Sequence, residues 1–429
     1  MAKTCKMPMF GRIELTFFFL LFSGNAFVLA QTDFSSSWED FFSYNNVKDF
    51  VVEADKIYAV ADNAAFIYDL TSRESRKISS VHGLSGKETS SMYYSPSTGR
   101  FVIGYRSGLI EVIDPDGRIT IASDIERLDI TGQKQISHIE EYENNLYLST
   151  PFGIVAYDLE NLNFGDTYFI DQDSRPVFVN QISIDQGTIY AATVKGIYTA
   201  DVTDPNLIDF NRWLQPEGDL TGDFKAIEIF NGSVFTARGT TLYRFAEIDR
   251  IVPLRNFNRE IIDLNASQDH ISVCSPRRAF VLDENMAQVH ESFPTSDFNF
   301  QAQTSFATDG QSFLATESFG ILRQSFSSTD YEEIHPNGPS SNQVFSIAAQ
   351  NNQLWVVYGG YDGAFTPLGK TLGYSHFNGS SIESDPWINT PYDRAFPARD
   401  LVHVTIDPEA DNKVYISSWN SGILVVEDD

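Results

Sequence analysis

Apolar and polar residues alternate along this chain in short bursts, and the bursts recur. The repeating unit is an apolar strand, a short polar turn, a second apolar strand, a small or glycine-bearing turn, and a third strand. The best-matched copies are Leu146 to Asp158, turning at Gly153, and Ile189 to Tyr198, turning at Gly196. Others run from Phe101 with Gly108, from Phe313 with Gly320, and from Val414 with Gly422. Weaker copies begin at Ile57, Val234 and Ile271, with Ala65, Thr240 and Arg278 at the turn, and a longer copy begins at Leu354. The turns are spaced 45, 43, 44, 38 and 42 residues apart from Gly108 to Gly320. A period of about 40–45 residues filled with strand signals is that of a four-stranded propeller blade. Helical repeats of this length would show a 3.6-residue period, and almost none is present beyond the first 30 residues. A sandwich would not keep such a period, and a β-helix period is far shorter.

Nine units can be counted, whereas a ring usually holds about four to eight. Seven lie between residues 47 and 326; an eighth starts near Gln343 and carries an insertion from Gly359 to Arg399; a ninth ends at Glu427. The pattern predicts an all-β protein, a β-propeller of four-stranded blades with one seven-bladed ring plus the start of a second. Residues 31–330 form the first propeller. Residues 331–429 are the first blades of the second, or else the closing blades of a single ring. The former makes this chain the N-terminal part of a longer protein.

The first thirty residues break the pattern. Lys3, Lys6 and Arg12 precede an apolar run from Leu15 to Phe22, and Val28-Leu29-Ala30 stands before Gln31. This reads as a secretory signal peptide (residues 1–30) cleaved between Ala30 and Gln31, too short for a membrane span. Cys5 leaves with it, so the exported chain keeps Cys274 alone and has no internal disulfide. Cys274 lies in a strand-like run and reads as a small buried hydrophobe. Phenylalanine (34) and tyrosine (19) are abundant, which favours strands. The net charge of −28 disfavours nucleic acid and bare anionic membrane, because neither is held without clustered cations.

Sites of chemistry are sparse. Histidines 82, 138, 270, 290, 335, 376 and 403 show no metal-ligand spacing, although a propeller axis can gather distant residues. The Asp-rich pieces 114–117 and 407–412 lack the spacing of a calcium loop and read as turns. No Ser-x-Asp-x-Gly-x-x-Trp sialidase repeat, nucleophile elbow or phosphate-binding loop is present. No cofactor and no catalytic residue is expected. A carboxylate pair for glycoside cleavage could still converge in a central pocket, with perturbed protonation as its sign. The insertion is the region expected to bind, through Tyr361, Tyr374, Trp387 and Tyr392, since long loops on rigid scaffolds carry function and aromatics anchor interfaces.

Two stretches resemble the two-component-regulator propeller repeat. One is His82-Gly83-Leu84-Ser85-Gly86 leading to Phe101–Leu109; the other is Asn337-Gly338-Pro339-Ser340 leading to Leu354-Trp355-Val356. The further order resembles the PorZ family of the type IX secretion system. It includes the opening from Trp38 to Tyr58, Ile103-Gly104-Tyr105-Arg106-Ser107-Gly108, and Thr150-Pro151-Phe152-Gly153-Ile154-Val155. It continues with Ala191 to Tyr198 and with His335 through Trp355. That resemblance implies a non-catalytic component of an outer-membrane attachment complex at the cell surface, reached through the periplasm. Its implied partners are a sortase, a β-barrel shuttle protein and anionic lipopolysaccharide, which it would present to the sortase. The repeat alone also implies an alternative, the oligosaccharide-sensing propeller of a hybrid two-component regulator.

Overall fold

In the computed structural model, residues 39–379, 386–391 and 397–427 are described. The expected signal sequence with its expected Ala30–Gln31 cleavage site, Trp38 and Tyr392 lie outside them. The chain from Asp40 onward is a succession of nine antiparallel sheets, each wound as a meander from one contiguous stretch. Seven occupy 47–78, 89–122, 138–168, 179–201, 226–256, 263–292 and 302–334. The eighth and ninth occupy 346–390 and 401–427.

The first strands of the first seven sheets define a circle. Val47–Glu53 touches Thr89–Ser95, which touches His138–Tyr142, and so on through Val179–Asp185, Ala226–Phe230, Asp263–Ala266 and Ala302–Thr308, which returns to Val47–Glu53. The ring of seven blades expected from the period is therefore closed. Seven apolar cores fill the wedges between neighbouring sheets, so each sheet is covered on both faces. This is how repetition solves burial: one twisted sheet exposes two faces, and its neighbours remove both from water. At the closing wedge, Val47, Ile57 and Phe66 pack with Phe313, Ala315 and Ile321, and the Gly320 amide donates to the Asn45 carbonyl at 2.7 Å. Cys274 is buried in the wedge between the sixth and seventh sheets, and burial pushes its thiol pKa up.

Fourth strands such as Ser75–Ile78 and Gln288–Ser292 are short and largely polar, because they sit at the rim. Two sheets have three strands. In the fourth, the outer place is taken by residues 205–221, tied on by single bridges of Thr199 to Leu214 and Gly196 to Thr221. The ninth also has three.

The hairpin glycines carry steric weight. At Gly153 φ is +148°, and a Cβ would lie 2.2 Å from the Tyr168 carbonyl oxygen. At Gly196 φ is +157°, and a Cβ would lie 2.5 Å from the Leu220 oxygen. No larger side chain fits there without moving backbone. The Asp114 and Asp407 pieces are turns, as expected: the Gly117 amide donates to the Asp114 carbonyl, and the Glu409 amide to the Asp407 carboxylate.

The eighth and ninth sheets pack on each other through Trp355, Val357, Val404, Ile406, Val414 and Ile416. They join the ring through Asn342, whose amide accepts from the Ser43 amide at 2.8 Å and donates to the Ser43 carbonyl at 3.0 Å. Phe41 adds aromatic contacts to Phe377 and Trp387.

Candidate functional site

The two glycine-led motifs occupy matching places, just before the first strand of the second and eighth sheets. Ser85 donates from its amide and its hydroxyl to the buried Glu111 carboxylate, at 2.8 and 2.7 Å, and Tyr105 donates to the same group. The Ser340 amide donates to the Tyr358 hydroxyl and to Ser375 Oγ, at 3.1 and 3.0 Å. Both motifs fasten a connecting loop to its own sheet. A Ser–His–Asp grouping near the chain start is likewise structural. Ser79 Oγ donates to Asp40 at 2.6 Å and lies 3.1 Å from His82 Nδ1, but the hydroxyl is fully buried and Lys77 also reaches Asp40. A nucleophile needs an open approach, and this one has none.

The ring encloses an axial channel of about 400 Å³ lined from all seven first strands. Asp49, Glu140, Glu228 and Asp263 face it, together with His138. Protein surrounds these side chains while they keep partial contact with water. Burial pushes Asp49 and Asp263 up to about 7, Glu140 up to about 8, and Glu228 well above the usual carboxylate range. Their mutual repulsion adds to this: Asp263 raises Asp49, and Glu140 raises Glu228. His138 is pushed down to about 4 by burial, so its ring is neutral, and its Nδ1 has no protein partner. Perturbed carboxyls at the axis are the sign set out above for a glycosidase. Glycoside cleavage needs one carboxyl held protonated and another held ionised; here all four are raised, chiefly by burial. Asp49 accepts the Phe50 and Met92 amides, Asp263 accepts from Asn265 and Thr304, and Glu228 accepts the Ile229 amide. Among the described residues no group of three or more His, Cys, Asp or Glu is placed to hold a metal ion.

The insertion residues separate. Tyr374 and Trp387 are strand residues of the eighth sheet, in Tyr374–Asn378 and Trp387–Thr390, not loop residues. Tyr374 packs on Trp355 at 5.6 Å, and Trp387 is buried beside Phe377 and Phe41. Tyr361 stands elsewhere, in the loop 358–373, with ring centroids 5.3 Å from Phe365, 4.6 Å from Trp419 and 5.2 Å from Phe345. The three expected residues that are described, Tyr361, Tyr374 and Trp387, are therefore not brought together. The surface cluster around Tyr361 is built instead with Phe345, Phe365 and Trp419. Trp419 belongs to the ninth repeat, immediately before its Asn420-Ser421-Gly422 turn, and nothing in the linear order ties it to the insertion.

Residues 57–214 match the family model of the PorZ N-terminal β-propeller domain of the type IX secretion system. That stretch of the chain is PorZ-like. Among solved structures it is similar to PorZ, an essential bacterial surface component of the type IX secretion system of Porphyromonas gingivalis. The TM-score is 0.74 at 18% identity, covering 91% of this chain and 52% of that one. It is also similar to the extracellular domain of BT3049, a putative hybrid two-component system of B. thetaiotaomicron, with TM-score 0.51 and 14% identity over 90% and 52%. At these identities the likeness shows the fold. The chain spans about half the length of both structures. No curated protein sequence matches it. No helix of the described residues is long and apolar enough to cross a membrane.

Proposed function

We propose that this PorZ-like chain is a non-catalytic surface component of the type IX secretion attachment complex. In this reading it is exported to the outer-membrane surface, binds the sortase and the β-barrel shuttle protein, and presents anionic lipopolysaccharide to the sortase. The match of residues 57–214 to the PorZ N-terminal propeller carries the reading. A chain of net charge −28 does not attract an anionic glycolipid over its whole surface, so contact with it must be local. Tyr361 and its neighbours are offered as one contact region.

Deleting the gene tests the role. Cargo should vanish from the cell surface and accumulate with its sorting signal uncut; normal attachment of cargo overturns the proposal. The likeness to BT3049 favours a second reading, an oligosaccharide-sensing propeller. Under that reading the deletion would change transcription of polysaccharide-use genes and leave cargo untouched.

A further inference from the structure

Phe365 is both strained and exposed. Its φ of +61° lies in the left-handed region, which a bulky residue rarely adopts, and its side chain is 62% open to solvent. Hiding an aromatic ring would repay such strain; displaying one does not, unless display is its use. The turn around it is firmly held. Asp362 accepts the Ala364 and Thr366 amides at 2.9 and 2.8 Å, and these bonds, that of Thr366 first, hold its carboxyl below the usual range. The Phe365 amide donates to the Asp362 carbonyl at 2.9 Å, and Tyr361 and Pro367 pair across the loop. Buried Asp400 then ties two sheets together. Its carboxylate accepts the Gly369 and Lys370 amides at 2.7 and 2.9 Å, and its carbonyl accepts the Trp419 amide at 2.9 Å. The result is a fixed surface on which Phe365 and Trp419 lie nearly parallel, 15° apart with centroids at 6.1 Å, and Trp419 is 40% exposed.

We propose that Phe365 and Trp419, backed by Tyr361, form a stacking platform for a sugar ring of the surface glycolipid, with Lys370 and Gln343 as its polar rim. The axial C–H groups of a pyranose carry partial positive charge and meet the negative faces of aromatic rings. The Lys370 ammonium, 3.4 Å from Gln343 Oε1, supplies a local cation for an acidic substituent, and the Gln343 amide can bond hydroxyls. A rigid aromatic floor with a few polar groups at its edge fixes orientation at low entropic cost. This inference rests on the glycolipid-binding part of the proposed function and places it on named residues.

The test titrates the full chain with deacylated polysaccharide from the lipopolysaccharide of a type IX-secreting bacterium, and separately with its lipid A. Phe365→Gly and Trp419→Ala should each weaken polysaccharide binding about tenfold or more. Phe365→Gly should leave the thermal midpoint equal or higher, because glycine relieves the positive φ. If wild type binds polysaccharide and both variants bind equally well, the platform is wrong while the glycolipid reading stands. If wild type binds lipid A alone, the sugar assignment falls. If wild type binds neither, the glycolipid reading fails and takes the platform with it. Unchanged polysaccharide binding with lost co-purification of the sortase would assign the surface to a protein partner and overturn the proposal.

Discussion

In the seven-sheet ring each sheet has both faces covered; in the pair that follows, the eighth sheet covers its second face only in part, around Trp387 and Phe41, and the ninth leaves Ile423 and Val425 open. Residues on the ring's inter-sheet faces, such as Ile57, Leu264 and Leu314, are fully buried. Ile347 on the eighth sheet is 60% exposed, and Ile423 on the ninth is 69% exposed with Val425 beside it. The same repeat therefore yields a closed core in one place and exposed apolar positions at the margin of the other. Closure is a property of the number of neighbours, not of the single unit.

Glycine replacements should break this contrast most sharply. Gly153→Val forces a branched side chain into the Tyr168 backbone, and the loss should exceed about 3 kcal/mol. Gly422→Val, also at positive φ but with nothing within 4 Å of its Cβ, should cost nearer ~1 kcal/mol. Thermal unfolding reads both, and equal losses would contradict the difference in crowding. Next, Leu314→Ala in the ring should cost about 2–5 kcal/mol by leaving a cavity.

A pH series should show a smaller effect, located at the axis. Asp49, Asp263 and Glu140 have folded values of about 7, 7 and 8, against unfolded values of about 4. The folded ring holds protons that the unfolded chain releases, so this contribution is complete below pH ~4 and is lost as pH rises toward 8. His138 works oppositely: lowered to about 4, it removes stability as pH falls below its unfolded value of about 6.5. Between pH 6.5 and 8.5 the carboxyls act without it, and the melting temperature should decline. The double change Asp49→Asn and Asp263→Asn should flatten that decline; an unaltered slope would exclude them as its source. Smallest of all, Ile423→Ser on the open face should shift stability by no more than about 0.5 kcal/mol while reducing self-association in sedimentation.

Much of the ring was legible before any coordinates. In the best copies the two inner hairpin strands are apolar on both faces, so Leu146–Ser149 and Ile154–Tyr157 announce themselves, and Gly153 and Gly196 mark turns that a larger side chain would not fit. The outer strands were not legible. Glu332–Ile334 and Gln288–Ser292 face water at the rim and read like loop, which is why the repeat showed three strands where most sheets have four. The surface cluster was half visible. Tyr361 stood out among glycines and prolines, but its neighbours Trp419 and Phe345 come from different sheets, and only packing brings them together. Tyr374 and Trp387 misled because an aromatic residue in a buried strand has the same composition signal as one in a loop.

No strand is shared across the ring's seam: the first sheet ends its own meander and the seventh completes another, with side chains and the Gly320–Asn45 backbone bond between them. The apolar face formed by Val47, Ile57 and Phe66 must wait for Phe313, about 270 residues later. At a synthesis rate of roughly 5–20 residues per second, that wait is on the order of a quarter of a minute to a minute. Through that interval the face of the first blade lacks the side chains that cover it in the finished ring.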